Sequence, residues 1–253
     1  MFFQQFDDWE IERQVLEFMR QLGIEPYEER LQIDGELHRY RTKHDKASET
    51  SGAYCIHPDG IPAGFVQDWR TDEKSKWKFD TGGCSNEQLE YFKSKEFKQK
   101  TEQAQKERNE ANRIKHARAA EQAKQIFEQL KTAPENHPYL IKKKIYNYGF
   151  RIQENKLAVP LRNIDGIIQS IQWIEPDGTK RFQLDAPTEG VFFSIALDTL
   201  AGHPEQTILI GEGVATMAKV YELTGLPCVA ALNCTRLSAI SEIIRKKIPE
   251  NKI

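Results

Sequence analysis

Apolar residues first recur at helical spacing near the start of the chain. Ile11, Val15, Phe18, Met19 and Leu22 share one face of a predicted helix. Asp7 or Asp8 can cap its start, and Gly23 can end it. Strand-like runs follow at Leu37–Thr42, Gly52–Ile56 and Gly64–Trp69, with His57-Pro58-Asp59-Gly60 as a turn. Trp69, Trp77 and Phe79 add aromatic bulk, so residues 1–85 read as a small α+β domain. The pattern then changes. Between Asn86 and Lys131 there are eleven Lys/Arg and eight Asp/Glu, with no Pro or Gly, and apolar residues are sparse until Ala123, Ile126, Phe127 and Leu130. Good helix formers dominate. Residues 86–131 therefore predict one long solvated helix. It is either a spacer between domains, which the mixed charge signs favour, or a basic helix lying along phosphates.

From Thr132 the pattern changes again. His137-Pro138-Tyr139-Leu140 reads as a turn into a short helix. Strands are predicted at Lys156–Arg162, Ile167–Glu175 and Lys180–Leu184, separated by Asp165-Gly166 and Asp177-Gly178. An Asp-Gly pair between apolar runs signals a hairpin in which both central residues need positive φ. Residues 132–205 thus read as an antiparallel β meander. Residues 206–253 read as β-α-β-α: buried strands at Thr207–Ile210 and Pro227–Leu232, and helices at Val214–Leu223 and Leu237–Ile248. Gly225 ends the first of these helices. In the second, Leu237, Ile240, Ile244 and Ile248 share a face. Continuously apolar strands alternating with helices predict a parallel sheet covered on both faces.

Composition narrows the function. With a net charge of −2 over 253 residues, no global basic field advertises nucleic acid, so any such surface must be local. Of the four cysteines, Cys55, Cys84, Cys228 and Cys234, none forms a C-x-x-C pair. Cys55, His57 and Cys84 lack an obvious fourth ligand, so reduced thiols are expected rather than zinc. No run approaches the ~20 apolar residues of a membrane span. Met1–Glu10 carries acids and no basic segment of the secretory type. A soluble, cytoplasmic chain with no membrane partner is expected.

The strongest chemical signal is Ile208-Leu-Ile-Gly-Glu-Gly213, which puts Glu212 at the carboxyl end of a parallel strand. Ligands bind at that edge of open α/β sheets. A carboxylate there can help hold Mg²⁺ or act on a phosphoryl oxygen or hydroxyl. It can equally be a residue that merely favours the helix dipole. Gly213 is expected to let the backbone turn sharply.

The order of these elements resembles the Toprim fold of primases, topoisomerases and nucleases, and most closely DNA primases of plasmids, phages and mobile elements. Thr207–Leu232 looks like the first Toprim β-α-β unit. Val159–Gly166 and Gln169–Trp173 resemble the strands of the primase core. Lys180-Arg181-Phe182 is similar to its basic block, and Thr188–Phe193 to the next link. Ala230-Ala231-Leu232-Asn233 looks like the loop after the second Toprim strand. His137–Leu140 and the Tyr54–Trp69 block resemble the front of such primases. The resemblance implies Mg²⁺-dependent (or Mn²⁺-dependent) nucleotidyl transfer from nucleoside triphosphates on a single-stranded DNA template. Glu212 is then the catalytic residue and metal ligand. Arg162, Lys180, Arg181 and Asn233 contact nucleic acid or nucleotide, and a replicative helicase is a partner. His38, Arg39, Tyr40, Arg41, Trp69 and Arg70 mix rings with positive charge and could hold template. Core packing is the alternative for Trp69 and Tyr40.

Two departures from the family pattern stand out. The zinc ribbon of replicative bacterial primases is missing, as it often is in the mobile-element type. The family's Asp-x-Asp strand, which holds Mg²⁺, is expected to begin at Asn251-Lys252-Ile253, and no Asp-x-Asp follows Glu212. A catalytically incomplete primase fragment that still binds DNA is therefore expected, or else a non-catalytic nucleic-acid-binding adaptor on the same scaffold. An unpaired strand edge is also expected near Thr207–Leu232.

Overall fold

The computed structural model describes residues 6–27, 29–47, 49–71, 73–197 and 206–253. Its contacts divide the chain into two units, Met1–Asn109 and Glu110–Ile253. Among the described residues no helix is long and apolar enough to cross a membrane.

The first unit packs helix α1 (Asp8–Gln21) on a four-stranded antiparallel sheet. Its strands, in spatial as well as chain order, are β1 (His38–Tyr40), β2 (Gly52–His57), β3 (Ala63–Asp68) and β4 (Glu73–Lys78). Ile11, Val15, Leu16 and Met19 meet Tyr40, Tyr54, Ile56, Val66, Trp77 and Phe79 in one core. Asp7 takes the N-cap position, but its side chain makes no capping bond. Gly23, at φ 71°, ends the helix in the left-handed region. Strand β4 escaped sequence reading because only Trp77 of Glu-Lys-Ser-Lys-Trp-Lys is buried. Charge along an edge strand is what keeps such an edge from pairing with another chain.

The predicted single helix is two. Helix α2 (Asn86–Lys93) starts in a Ser85/Gln88 capping box. Ser94 is extended (ψ 151°) and breaks the helix, and its hydroxyl accepts from Phe97 N. Helix α3 (Lys95–Gln129) then runs for 35 residues. In the second unit its Ala123 and Phe127 pack on Ala158, Ile168 and Ile171. Arg151 closes its C-terminus, donating to Phe127 O at 2.6 Å and Glu128 O at 2.7 Å.

The second unit carries a five-stranded antiparallel meander in chain order: β5 (Lys131–Thr132), β6 (Arg151–Gln153), β7 (Lys156–Arg162), β8 (Ile168–Ile174) and β9 (Lys180–Phe182). Helix α4 (Pro138–Lys143) precedes β6. Its His137 cap accepts from Tyr139 N through Nδ1, so Nε2 donates to Asn155 O at 2.9 Å. Both Asp-Gly turns differ from expectation. Only Gly166 and Gly178 have positive φ (79° and 101°), while Asp165 and Asp177 do not. Gly166 N bonds Asn163 O and Gly178 N bonds Glu175 O, as in type I turns closed by a glycine bulge.

A second sheet follows, ordered β10 (Phe193–Ile195), β12 (Cys228–Ala230), β11 (Leu209–Gly211). β11 and β12 are parallel, joined through α5 (Val214–Thr224), while β10 is antiparallel to β12. Helix α6 (Leu237–Lys247) covers the face opposite α5. The expected open edge is thus narrower than Thr207–Leu232. β12 is paired on both sides, and Thr207 bridges Lys252 in parallel, with Ile208 N bonding Lys252 O at 2.8 Å.

Arg162 joins the two sheets. It exchanges hydrogen bonds with Phe192, N to O at 2.9 Å and O from N at 3.0 Å. β6 reaches only Ala158 of β7, so Pro160 lies in the gap beside this joint, where its missing N–H leaves no ladder bond unmade. One core, including Leu157, Val159, Leu161, Ile174, Phe193, Val214, Met217 and Ala230, fills the side that both sheets share. We call this side the inner face. The outer face packs on α3 under the meander and on α6 under the second sheet.

Asp45 offers a stability test in the first unit. Its buried carboxylate accepts from Thr42 N at 2.7 Å and Ser51 N at 3.0 Å. Burial pushes this carboxyl up, but the hydrogen bonds from Ser51 and Thr42 outweigh it and hold it well below the usual carboxylate range. A depressed folded value stabilises above the unfolded value, about 4, and that stability is lost as pH falls toward the folded one. Asp45→Ala should lower stability at pH 7 by about 1–3 kcal/mol and lose less than the parent chain on acidification, read by urea unfolding. Equal midpoints at pH 7 would contradict this.

Candidate functional site

The parallel pair β11 and β12 brings two sequence-predicted residues to one edge. Glu212 follows β11 and is exposed, and its carbonyl accepts from Leu232 N at 2.8 Å. Asn233 follows β12 and caps the short turn after it, accepting from Thr235 N at 2.9 Å. That bond uses its Oδ1 and leaves the amide donors for a ligand.

Strand alternation sorts the predicted cations. Lys180 pairs with Ile174, an inner-face core residue, so it lies on the inner face. Its stem is exposed, yet protein crowds the ammonium. Burial pulls its pKa down, and Lys143 adds to this while Glu212 opposes it. Lys180 is thus within electrostatic reach of Glu212. Arg181 pairs with Trp173 and takes the outer face, in a cleft with Glu154, Lys156 and Glu175. Arg162 is also on the outer side. It lines a cleft of about 520 Å³ with Pro160, Asn163 and Ser194, and donates to Gly166 O at 2.8 Å. Burial and the nearby Arg151 lower its pKa. Neither Glu212 nor Lys180 lines that cleft. The carboxyl edge of β11 and β12 is the better candidate site, because an exposed carboxylate stands there within electrostatic reach of a cation on β9.

Among the described residues no group of three or more His, Cys, Asp or Glu side chains could hold a metal. Glu212 alone does not satisfy Mg²⁺, which wants about six oxygens in octahedral array. Cys55 and His57 do meet, Sγ to Nε2 at 3.5 Å, but Cys84 is not part of that contact.

Over 250 residues (96% of its length) the chain is 32% identical to DNA primase TraC of Escherichia coli, and a second DNA primase TraC of Escherichia coli is 29% identical over 225 residues, or 87% of the chain. The chain is a relative of the TraC DNA primases. It spans 23% of the first relative's length and 15% of the second's. No family model matches it, and no solved structure does.

In the first unit of this TraC relative, the candidate template residues separate by environment. Tyr40 is core, 8% exposed, whereas Trp69 is 43% exposed. Arg39 lies over Trp69 at 5.3 Å and donates to Thr50 O, and Arg41 lies over the exposed Tyr27 at 4.5 Å. Tyr27 was not legible as a candidate, because it sits alone before a masking run of charge. Arg70 is committed to buried Asp68, with Nε to Oδ1 at 3.1 Å, which draws the Asp68 carboxyl down. His38 bonds Asp34 at 2.8 Å.

The glycines around Glu212 have different roles from those expected. Gly213 has φ −98°, open to any residue, and a Cβ there would stand 3.3 Å from Thr216 Oγ1. Gly211 is the constrained one, since a Cβ there would overlap Met217 Sδ in the core. Gly211→Ala should therefore cost about 1–3 kcal/mol and Gly213→Ala clearly less, by thermal unfolding. The reverse order would contradict the packing described.

Proposed function

We propose that this chain is the front portion of a Toprim-type DNA primase of the plasmid, phage or mobile-element class, acting in the cytoplasm. The observation that carries the reading is the match to TraC primases over nearly the whole chain, together with Glu212 at a strand edge that Lys180 also senses. In this reading the chain binds single-stranded DNA and nucleoside triphosphates, and Glu212 supplies one carboxylate of an Mg²⁺ or Mn²⁺ site. The family's Asp-x-Asp pair would supply the rest, and a bound ion would stabilise charge developing on the phosphate. Lys180 and Asn233 would orient phosphate at that edge. Arg39, with Trp69 beneath it, and Arg41, with Tyr27, would hold template bases and phosphates. A replicative helicase, as a domain or separate protein, is the partner the resemblance implies.

The direct test is primer synthesis on single-stranded template with Mg²⁺ or Mn²⁺. The chain would be assayed alone and joined to the segment that follows the matched region in a TraC relative. Activity should need the joined segment and should fall at least about a hundredfold with Glu212→Gln. Activity indifferent to Glu212→Gln would remove that residue from the chemistry. Single-stranded DNA binding should weaken steeply with salt, and Arg39→Ala with Arg41→Ala should reduce both affinity and salt slope. Salt-independent binding would argue against phosphate contacts. Salt-sensitive binding with no synthesis in either form would favour the non-catalytic adaptor.

A further inference from the structure

A strip of the inner face of the meander, on the same side as Lys180, holds polar atoms that the folded chain leaves without partners. Gln172 and Ser170 pair with inner-face residues Val159 and Leu161, and Phe182 lies opposite Gln172. Gln172 is 4% exposed and Ser170 0%, yet Gln172 Oε1 and Ser170 Oγ have no hydrogen-bond partner. Arg236, in the loop after β12, reaches the same strip, its guanidinium carbon 5.7 Å from the centre of the Phe182 ring. Its Nη1 is buried and also unpartnered. Arg236 directly precedes α6, so its positive charge stands at a helix N-terminus, where the dipole opposes it.

Each of these features is unfavourable in the folded chain alone, because buried polar groups without partners lose their water and gain nothing in exchange. Rule-breaking groups gathered at one place mark a site where a ligand supplies what is missing. The chemistry of the strip says which ligand. Arg236 and Lys180 call for an anion. The half-exposed Phe182 ring offers a stacking face. A hydroxyl and an amide, which both donate and accept, suit a sugar or base edge better than bare phosphate.

Building on the primase reading, we propose that Arg236 contacts a nucleotide phosphate and that Gln172 and Ser170 hydrogen-bond the sugar or base of the same nucleotide. The phosphate comes either from a free nucleoside triphosphate or from a nucleic-acid strand. Arg236 adds a cation to the edge that carries Glu212, and Glu189 is the carboxylate nearest to it in electrostatic effect.

The test is equilibrium binding of ATP, tripolyphosphate and a single-stranded oligonucleotide to the chain and to Arg236→Gln, Arg236→Lys and Gln172→Leu. Arg236→Gln should weaken binding of ATP, or of the oligonucleotide if the phosphate belongs to a strand, by about tenfold, with partial recovery in Arg236→Lys. Gln172→Leu should melt at the same or a higher temperature without ligand, yet bind ATP more weakly and tripolyphosphate as before. A structural role predicts the opposite, a lower melting temperature with affinity intact, and that result would overturn the proposal. Salt-sensitive DNA binding that ignores Arg236, along with ATP affinity that does too, would overturn the proposal and leave the primase reading standing. No binding of any ligand by the unsubstituted chain would sink both.

Discussion

The second unit depends on one joint. Where β6 ends, Phe192 takes its place beside β7 and trades two backbone hydrogen bonds with Arg162. From there the chain passes directly into β10 and pairs with β12. Two sheets of different character, one antiparallel and one with a parallel pair, therefore share a single core. The joint also creates an inner and an outer face, and that division decides which side chains can work together. Alternation along a strand has period two, so neighbours in sequence are separated by the sheet. Lys180 lies on the core side, within electrostatic reach of Glu212, while Arg181 takes the outer face.

The carboxyl edge of β11 and β12 gains its chemistry from this arrangement. A carboxylate stands exposed at the end of β11, and an amide stands at the end of β12. Helix α5 packs beneath that edge because Gly211 leaves room for Met217. Cations approach from the meander and from the loop before α6. Most charged groups elsewhere neutralise one another, as Arg70 and Asp68 do. Buried polar atoms without partners are costly, so the presence of three of them, on Gln172, Ser170 and Arg236, along one strip is informative.

Long periodic elements were legible in the sequence. Helices α1, α5 and α6 and strands β2, β3, β7 and β8 follow from apolar spacing, as does the parallel pairing of β11 with β12. Glu212 was legible because its position after an apolar strand is a matter of order along the chain. Short or charged strands were not: β4 buries only Trp77, and β5 has two residues. The break at Ser94 was hidden by helix formers on both sides, although the Ser85/Gln88 box before it is a recognisable start signal. The turn glycines were found, but the turn type was not, because a type I turn with a bulge and a two-residue hairpin both favour Asp-Gly. Grouping Arg162, Lys180 and Arg181 by charge missed the sheet that separates them. Arg236, Gln172 and Ser170 carry no motif, and only burial without partners reveals them.

The central claim is that ligand chemistry belongs to the carboxyl edge of β11 and β12 that carries Glu212, not to the outer cleft that carries Arg162. Hydrogen exchange with and without ATP and Mn²⁺ tests this most directly, since it reports protection residue by residue. The account predicts protection concentrated at Gly211–Val214, Asn233–Leu237 and Lys180–Phe182, with Arg162–Ile167 and Ser194 unchanged. Protection confined to Arg162–Ile167 and Ser194, with the edge around Glu212 unaffected, would contradict it.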